Sequence, residues 1–249
     1  MSTARRDRDG EEFLLRHDDA RLRITHYPGT SGIHVVSFTG IGWEMGGIQT
    51  EEFRRSLTHA GQNHAVTYVI DKTKSWFNAT ADDVTAILRE QTAAARRVVT
   101  LGNSMGGFGA AYFSSLLPNC DRAIAFAPQF SVSPGFMPQQ EYRWGPQRAA
   151  ITNHRIDHAL TTLAPGRRCF LFCGASSGLD RAHAECLKTF GGDAVAAFLI
   201  LGGRHDVAAH LKTSGCLHAL LDLIIQRDAC EAADVLALLA THGVACDTP

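Results

Sequence analysis

The chain has 249 residues, 45% of them hydrophobic and 20% charged, with 24 Lys and Arg against 25 Asp and Glu for a net charge of -1. This is a globular composition, which excludes disorder, collagen and repeat arrays and offers no basic excess for a nucleic-acid footprint. No apolar run approaches the roughly 18–20 residues that span a bilayer, so no membrane span is expected.

Met1 to Glu12 is polar and lacks the apolar stretch of a signal peptide. The seven cysteines are odd in number and show no Cys-x-x-Cys spacing. They read as reduced thiols of a cytoplasmic protein. Glu12–His17 and Arg21–Tyr27 alternate around Asp18-Asp19-Ala20, which predicts a β-hairpin. Pro28 to Gly32 is a loop, and His34–Phe38 a buried strand running into Thr39-Gly40-Ile41-Gly42. A helix is expected over Gln49–Ala60. Val66–Asp71 is the next strand, followed by a loop with Ser75-Trp76-Phe77-Asn78 and a helix from Thr80 or Ala81 to Ala95, Thr80 being its N-cap. Strand Val98–Leu101, a glycine-rich turn, a helix over Gly106–Leu117 and strand Ala123–Ala127 come next.

The rhythm then breaks. Residues 129–166 carry Pro134, Pro138, Pro146 and Pro165 among Phe130, Phe136, Tyr142 and Trp144, and read as a cap insertion, with Asp157–Leu163 helical. The alternation resumes with strand Arg168–Cys173, helix Arg181–Phe190 and strand Ala194–Leu201. Val207–Gln226 is largely helical, and a last helix spans Glu231–Thr241, ending at Gly243. Strands alternating with long helices predict an α/β fold, a mostly parallel sheet with helices on both faces, as one domain over residues 12–249 after a polar leader. Right-handed crossovers gather the strand C-terminal ends on one edge, where chemistry is expected.

Three groups fall on that edge. Gly102-Asn103-Ser104-Met105-Gly106 is a Gly-x-Ser-x-Gly motif between a strand and a helix, the setting in which a sharp turn projects a serine hydroxyl. A serine needs a base. His205 follows strand Ala194–Leu201, with His210 as the fallback and His154, His158 and His183 less well placed among the 12 histidines. The base needs an orienting acid. Asp180, the only carboxylate of the loop after strand Arg168–Cys173, is the candidate, with helix capping as its competing role. Asp206 and Asp71 are the weaker alternatives.

In the order Ser104, Asp180, His205, each after a different strand, the chain resembles the α/β-hydrolase superfamily over about residues 12–227. The resemblance implies a Ser-His-Asp triad working through an acyl-enzyme on a carboxylic ester or thioester. It implies an oxyanion hole made by the Met105 N–H and a second N–H from the loop after the first central strand. There Thr39-Gly40 stands where many relatives carry His-Gly; Ile41 is the first choice for the second donor and Gly42 the next. Gly42, Trp43 and Trp76 are placed at the substrate site, with Tyr142 and Trp144 as further candidate walls. No cofactor and no metal are expected: the histidines show no His-Glu-x-x-His, and His154 with His158 is a helix-surface spacing. A small-acyl or glycan-linked ester is the expected substrate class.

Three other functions compete. An acyltransferase would use the same residues with an acceptor other than water. A noncatalytic relative would keep the fold as a binding module. A dinucleotide-binding oxidoreductase would use the glycines of Thr39 to Gly47, with Asp71 on a ribose, but the Gly-x-Gly-x-x-x-Gly spacing is one residue too long and Trp43 and Met45 would crowd a pyrophosphate.

Overall fold

The computed structural model describes residues 4–6, 10–42, 44–45, 48–58, 63–138, 141–160 and 166–248. The N-terminal part holds β1 (Ala4–Arg6), β2 (Glu12–Asp18), β3 (Leu22–Tyr27) and β4 (Ile33–Phe38), then the short pair β5 (Glu44–Met45) and β6 (Ile48–Gln49), and α1 (Arg54–Leu57). The middle alternates β7 (Ala65–Asp71), α2 (Ala81–Thr92), β8 (Arg97–Asn103), α3 (Met105–Ser114) and β9 (Cys120–Phe126). A long connection with α4 (Gly145–Ala149) leads to β10 (Arg168–Gly174), α5 (Gly178–Gly191) and β11 (Val195–Ile200). The chain closes with α6 (Val207–Thr213), α7 (Leu217–Gln226), α8 (Ala232–Thr241) and β12 (Cys246–Asp247).

The ten-stranded open sheet has the order β1-β2-β3-β7-β4-β8-β9-β10-β11-β12. The strands from β7 to β11 in that order run parallel. The N-terminal hairpin joins antiparallel at one edge and β12 at the other. β4 is buried at every position, as a strand covered on both faces must be. Its side chains divide by strand alternation. Val36 and Phe38 join the layer under α2, α3 and α5, and Val35 joins the layer under α6, α7 and α8. On the second face Phe126, Phe172 and Phe198 stack across neighbouring strands, and Phe53, just before α1, stacks on Phe126, with centroids 5.0–5.5 Å apart.

Several elements differ from the sequence expectation. Of the helix expected over Gln49–Ala60, the described residues 49–58 hold only Arg54–Leu57, entered through Phe53 at φ 64°, and His59 and Ala60 lie outside the described residues. Glu52 explains the interruption: its side-chain carboxyl oxygen accepts from the Gly40 N–H and its carbonyl from the Ser37 hydroxyl, so the chain before α1 is pinned to the end of β4. The dinucleotide reading loses its setting here, because the described residues after Gly42 hold the β5–β6 pair and not a helix N-terminus able to hold a pyrophosphate. Val207–Gln226 divides at Gly215, which takes φ +73° and ends α6. Asp157–Leu160 is irregular, and the rest of that expected helix lies outside the described residues. Thr80 stands at the N-cap of α2, but its side chain makes no capping bond. Among the described residues no helix is long and apolar enough to cross a membrane.

Candidate active site

The strand C-terminal edge carries the site. Ser104 occupies the turn between β8 and α3 at φ 55°, ψ -119°, a backbone that side chains rarely adopt. Its N–H bonds to the Phe126 carbonyl at 2.8 Å and its carbonyl accepts from Phe108, which hold the turn in place. The flanking glycines are there for space. A Cβ on Gly106 would lie 2.0 Å from the Phe38 carbonyl oxygen, and one on Gly102 would lie 2.2 Å from the Gly106 backbone. The motif is therefore the only kind of sequence that lets β8, α3 and β4 converge behind the hydroxyl.

His205 reaches Ser104 from the turn after β11. Its Nε2 is 3.0 Å from Ser104 Oγ, and its Nδ1 lies 3.0 and 3.1 Å from the two oxygens of Asp180. An ionised carboxylate only accepts, so Nδ1 carries the proton and Nε2 accepts from the serine hydroxyl. The loops after β10 and β11 are tied together by Ala175 N–H to Ile200 and Ser176 N–H to Gly203, which sets the Asp180–His205 separation. Asp180 stands in the first turn of α5, which begins at Gly178, three residues earlier than the Arg181 start expected from sequence. Capping falls to Ser177, whose hydroxyl accepts from the Asp180 N–H, and the Asp180 carboxylate is left for His205.

Asp180 is fully buried. Burial alone would raise its carboxyl, but the hydrogen bond and charge of His205 and the charge of Arg143 overcome that and hold it below the usual value. Arg143, from the β9–β10 connection, places Nη1 2.7 Å from Asp180 Oδ1 and 3.0 Å from His205 Nδ1. Because Nδ1 already bears a proton, the guanidinium donates to Asp180 and lies beside the imidazole. The same guanidinium grips Glu141 through Nε and Nη2. Glu141 in turn is 2.9 Å from His183 Nε2, and His183 Nδ1 accepts from the Phe130 N–H. His183 is thus a fully buried structural link carrying its proton on Nε2. Burial pushes the Glu141 carboxyl up, while His183 and Arg143 pull it further down, well below the ordinary carboxylate range.

Two further side chains meet at Ser104. Gln129 Nε2 lies 3.3 Å from Ser104 Oγ, and Trp76 Nε1 donates to Gln129 Oε1 at 2.9 Å. Trp76 has no exposed surface. Its place at the substrate wall is therefore corrected: the indole is packed under the site and presents only its N–H, to Gln129. Asp71 is likewise no alternative acid. Its carboxylate accepts from the N–H groups of Thr73, Ser75 and Phe77 and from the hydroxyls of Thr73 and Ser75, and it shapes the loop that carries Trp76.

Met105 N–H is the first amide of α3, one of those a helix leaves without an intrahelical acceptor. In the facing loop Thr39 N–H bonds to Val69 and Gly40 N–H to Glu52, so Ile41 is the first residue there whose amide is not committed to those two partners. Gly42 is exposed, and Trp43 lies outside the described residues. Tyr142 is 78% exposed, so it walls no enclosed chamber. A cleft of about 1110 Å³ beside the site is lined by Asn103, Glu52 and Asp206. Among the described residues no three His, Cys, Asp or Glu side chains converge as a metal would need.

Sequence reasoning missed Gln129, Glu141 and Arg143. Gln129 was the most accessible of the three, since it lies just past β9 on the same edge as Ser104. Arg143 and Glu141 sit in a connection whose path no periodicity defines.

The fold is that of solved esterases. An esterase of the planctomycete Thermogutta terrifontis, solved with butyrate bound, superposes with a TM-score of 0.58 at 18% identity, covering 88% of this chain and 97% of that one. The Thermogutta terrifontis esterase 2 phosphonylated by sarin gives 0.57 at 19% identity over 90% and 98%. An arylesterase gives 0.52 at 16% identity over 90% and 82%. No protein-family model and no curated protein matches the sequence.

Proposed function

We propose that the chain is a serine hydrolase that cleaves a carboxylic ester or thioester through an acyl-enzyme. The observation that carries this reading is the unbroken hydrogen-bonded line from Ser104 Oγ through His205 to a buried, ionised Asp180. Ser104 Oγ attacks the carbonyl carbon as its proton passes to His205 Nε2, and the carbonyl π pair moves onto oxygen. Asp180 holds the tautomer and stabilises the imidazolium. The Met105 and Ile41 N–H groups receive the oxyanion, each such donor contributing roughly 3–4 kcal/mol in the transition state. The pair returns, the C–O or C–S bond of the leaving group breaks, and His205 gives the proton to the departing oxygen or sulfur. Water then repeats the sequence on the acyl-enzyme and restores Ser104. Short acyl chains are the substrates of choice, in keeping with the butyrate and propionate held by the Thermogutta esterase.

Labelling by a fluorophosphonate tests this. Wild-type protein should label, Ser104→Ala should not, and His205→Ala and Asp180→Ala should label at least about a hundredfold more slowly. A folded wild type that stays unlabelled would overturn the reading.

A further inference from the structure

We propose that Gln129 is a further catalytic residue, a hydrogen-bond donor to the Ser104 oxygen, and that Trp76 is the positioning residue that fixes its orientation. The inference rests on the serine-hydrolase reading and adds a group to it. Gln129 and Trp76 are both buried, at 1% and 0% exposure, so neither side chain has water as an alternative partner.

Trp76 decides which way the amide faces. An indole N–H can only donate, so the group 2.9 Å from Trp76 Nε1 must be the amide oxygen. The –NH2 is therefore turned to Ser104, and Ser104 Oγ is the acceptor of that contact. The two bonds to Oγ are then complementary. The hydroxyl hydrogen goes to His205 Nε2, and the lone pair on the other side receives Gln129. The hydroxyl cannot rotate its proton toward Gln129, because only donors stand there.

The ground-state contact is 3.3 Å, at the long end for an N–H···O bond. A bond of that length adds little to a neutral hydroxyl, and it strengthens as charge builds on the oxygen. Oγ gains charge twice. It does so when its proton leaves during attack, and again when water has added to the acyl carbon and the C–Oγ bond breaks with its electron pair returning to Oγ, before His205 supplies the proton. Gln129 therefore favours the transition states over the resting state, which is the condition for acceleration.

The backbone around the pair is built at the expense of local strain. Lys74, Trp76 and Phe77 adopt φ 54°, 51° and 62°, and Ala127, two residues before Gln129, adopts φ 40°. These are four of the seven described non-glycine residues with positive φ, and Ser104 is another. Strain of this kind persists where surrounding structure enforces it. The Asp71 carboxylate, bonded to the N–H groups of Ser75 and Phe77 on either side of Trp76, is the enforcing group.

The test measures the second-order rate of fluorophosphonate labelling beside the melting temperature. Gln129→Leu removes the donor. Gln129→Glu keeps the shape and the acceptor for Trp76 while removing the –NH2. Both should label at least tenfold more slowly than wild type while remaining folded. Trp76→Phe should slow labelling about threefold or more, and should have no further effect in a Gln129→Leu background, whereas a merely structural role for Trp76 would slow both backgrounds equally. Wild-type labelling rates in folded Gln129→Glu, or equal effects of Trp76→Phe in both backgrounds, would overturn the proposal. An unlabelled wild type would instead sink the serine-hydrolase reading itself.

Discussion

Around His205 four charged or titratable groups are held within hydrogen-bonding reach of one another: Asp180, Arg143, Glu141 and, beyond Glu141, His183. With Arg143 positive and both carboxylates ionised, the cluster carries one net negative charge while His205 is neutral and none when it is protonated. The site therefore accommodates an imidazolium without building up charge, which is what the general-base role proposed for His205 demands. Arg143 makes that balance possible, and its removal tests it. Its side chain is 16% exposed and that of Glu141 1%, so the ion pair is largely desolvated. Breaking such a pair from one side costs about 3–5 kcal/mol, because the remaining charge is stranded. Arg143→Met should lower stability by that order in denaturant titration. Adding Glu141→Gln should recover a substantial part, since the stranded charge is then gone. Stability from Glu141, whose carboxyl is depressed in the folded state, is fully present above the ordinary carboxylate value and is lost as pH falls from there through the depressed one, so the wild type and Arg143→Met should converge in strong acid. Equal stability of the two proteins at neutral pH would show that the pair contributes nothing.

At the scale of elements, the sequence and the structure agree where a local rule governs and part where a distant contact does. Strands β4, β7, β8, β10 and β11 were legible because continuous apolar runs have few other uses, and the elbow at Ser104 was legible because only small residues at 102 and 106 fit its turn. The helix expected from Gln49 was misread. Its periodicity is real, but Glu52 is drawn out of helical register by Gly40 and Ser37, residues twelve and fifteen positions away. The place of Asp180 beside His205 follows from its position after a strand, whereas Arg143 arrives through a connection whose course depends on tertiary contacts with Asp180 and Glu141. Glu52 itself yields a prediction. Burial pushes its carboxyl up to about 8, against opposing hydrogen bonds from Gly40 and Asn103, so it is neutral at physiological pH. A carboxyl raised in the folded state favours folding below its ordinary value, near 4.5, and that advantage drains away as pH rises to about 8. Glu52→Gln keeps an acceptor for the Gly40 N–H and cannot ionise. Its melting temperature should therefore hold as pH rises from about 5 to about 8 while that of the wild type falls, and parallel curves would refute a buried neutral Glu52.

The molecule as a whole divides its labour between the two ends of the parallel sheet. Ser104, Asp180 and His205 follow the C-terminal ends of β8, β10 and β11. At the N-terminal ends of β8 and β9, Arg97 and Arg122 turn the opposite way, toward the end of α7. Arg122 donates to the carbonyls of Ile224, Arg227 and Asp228, and Arg97 to those of Gln226, Arg227 and Asp228. Carbonyls at a helix C-terminus have no intrahelical donors and carry the negative end of the helix dipole, so a guanidinium there is well matched. Arg122 is 5% exposed, and its bonds tie α7 to the underside of the sheet. The seven residues of β8, from Arg97 to Asn103, carry the chain about 20 Å to Ser104 at the rise of a β-strand. Contacts at this end therefore bear on stability and not on the chemistry. Arg122→Met keeps the apolar stem and removes the donors, leaving buried carbonyls unsatisfied at about 1–3 kcal/mol each where water cannot reach them. For a chain of this length each kcal/mol corresponds to about 2–4 °C, so the variant should melt roughly 5–10 °C lower. Its fluorophosphonate labelling rate, measured well below that temperature, should equal the wild type's. A variant that melts like the wild type would mean that α7 is held by its apolar face alone, and a slowed labelling rate would mean that the two ends of the sheet are coupled.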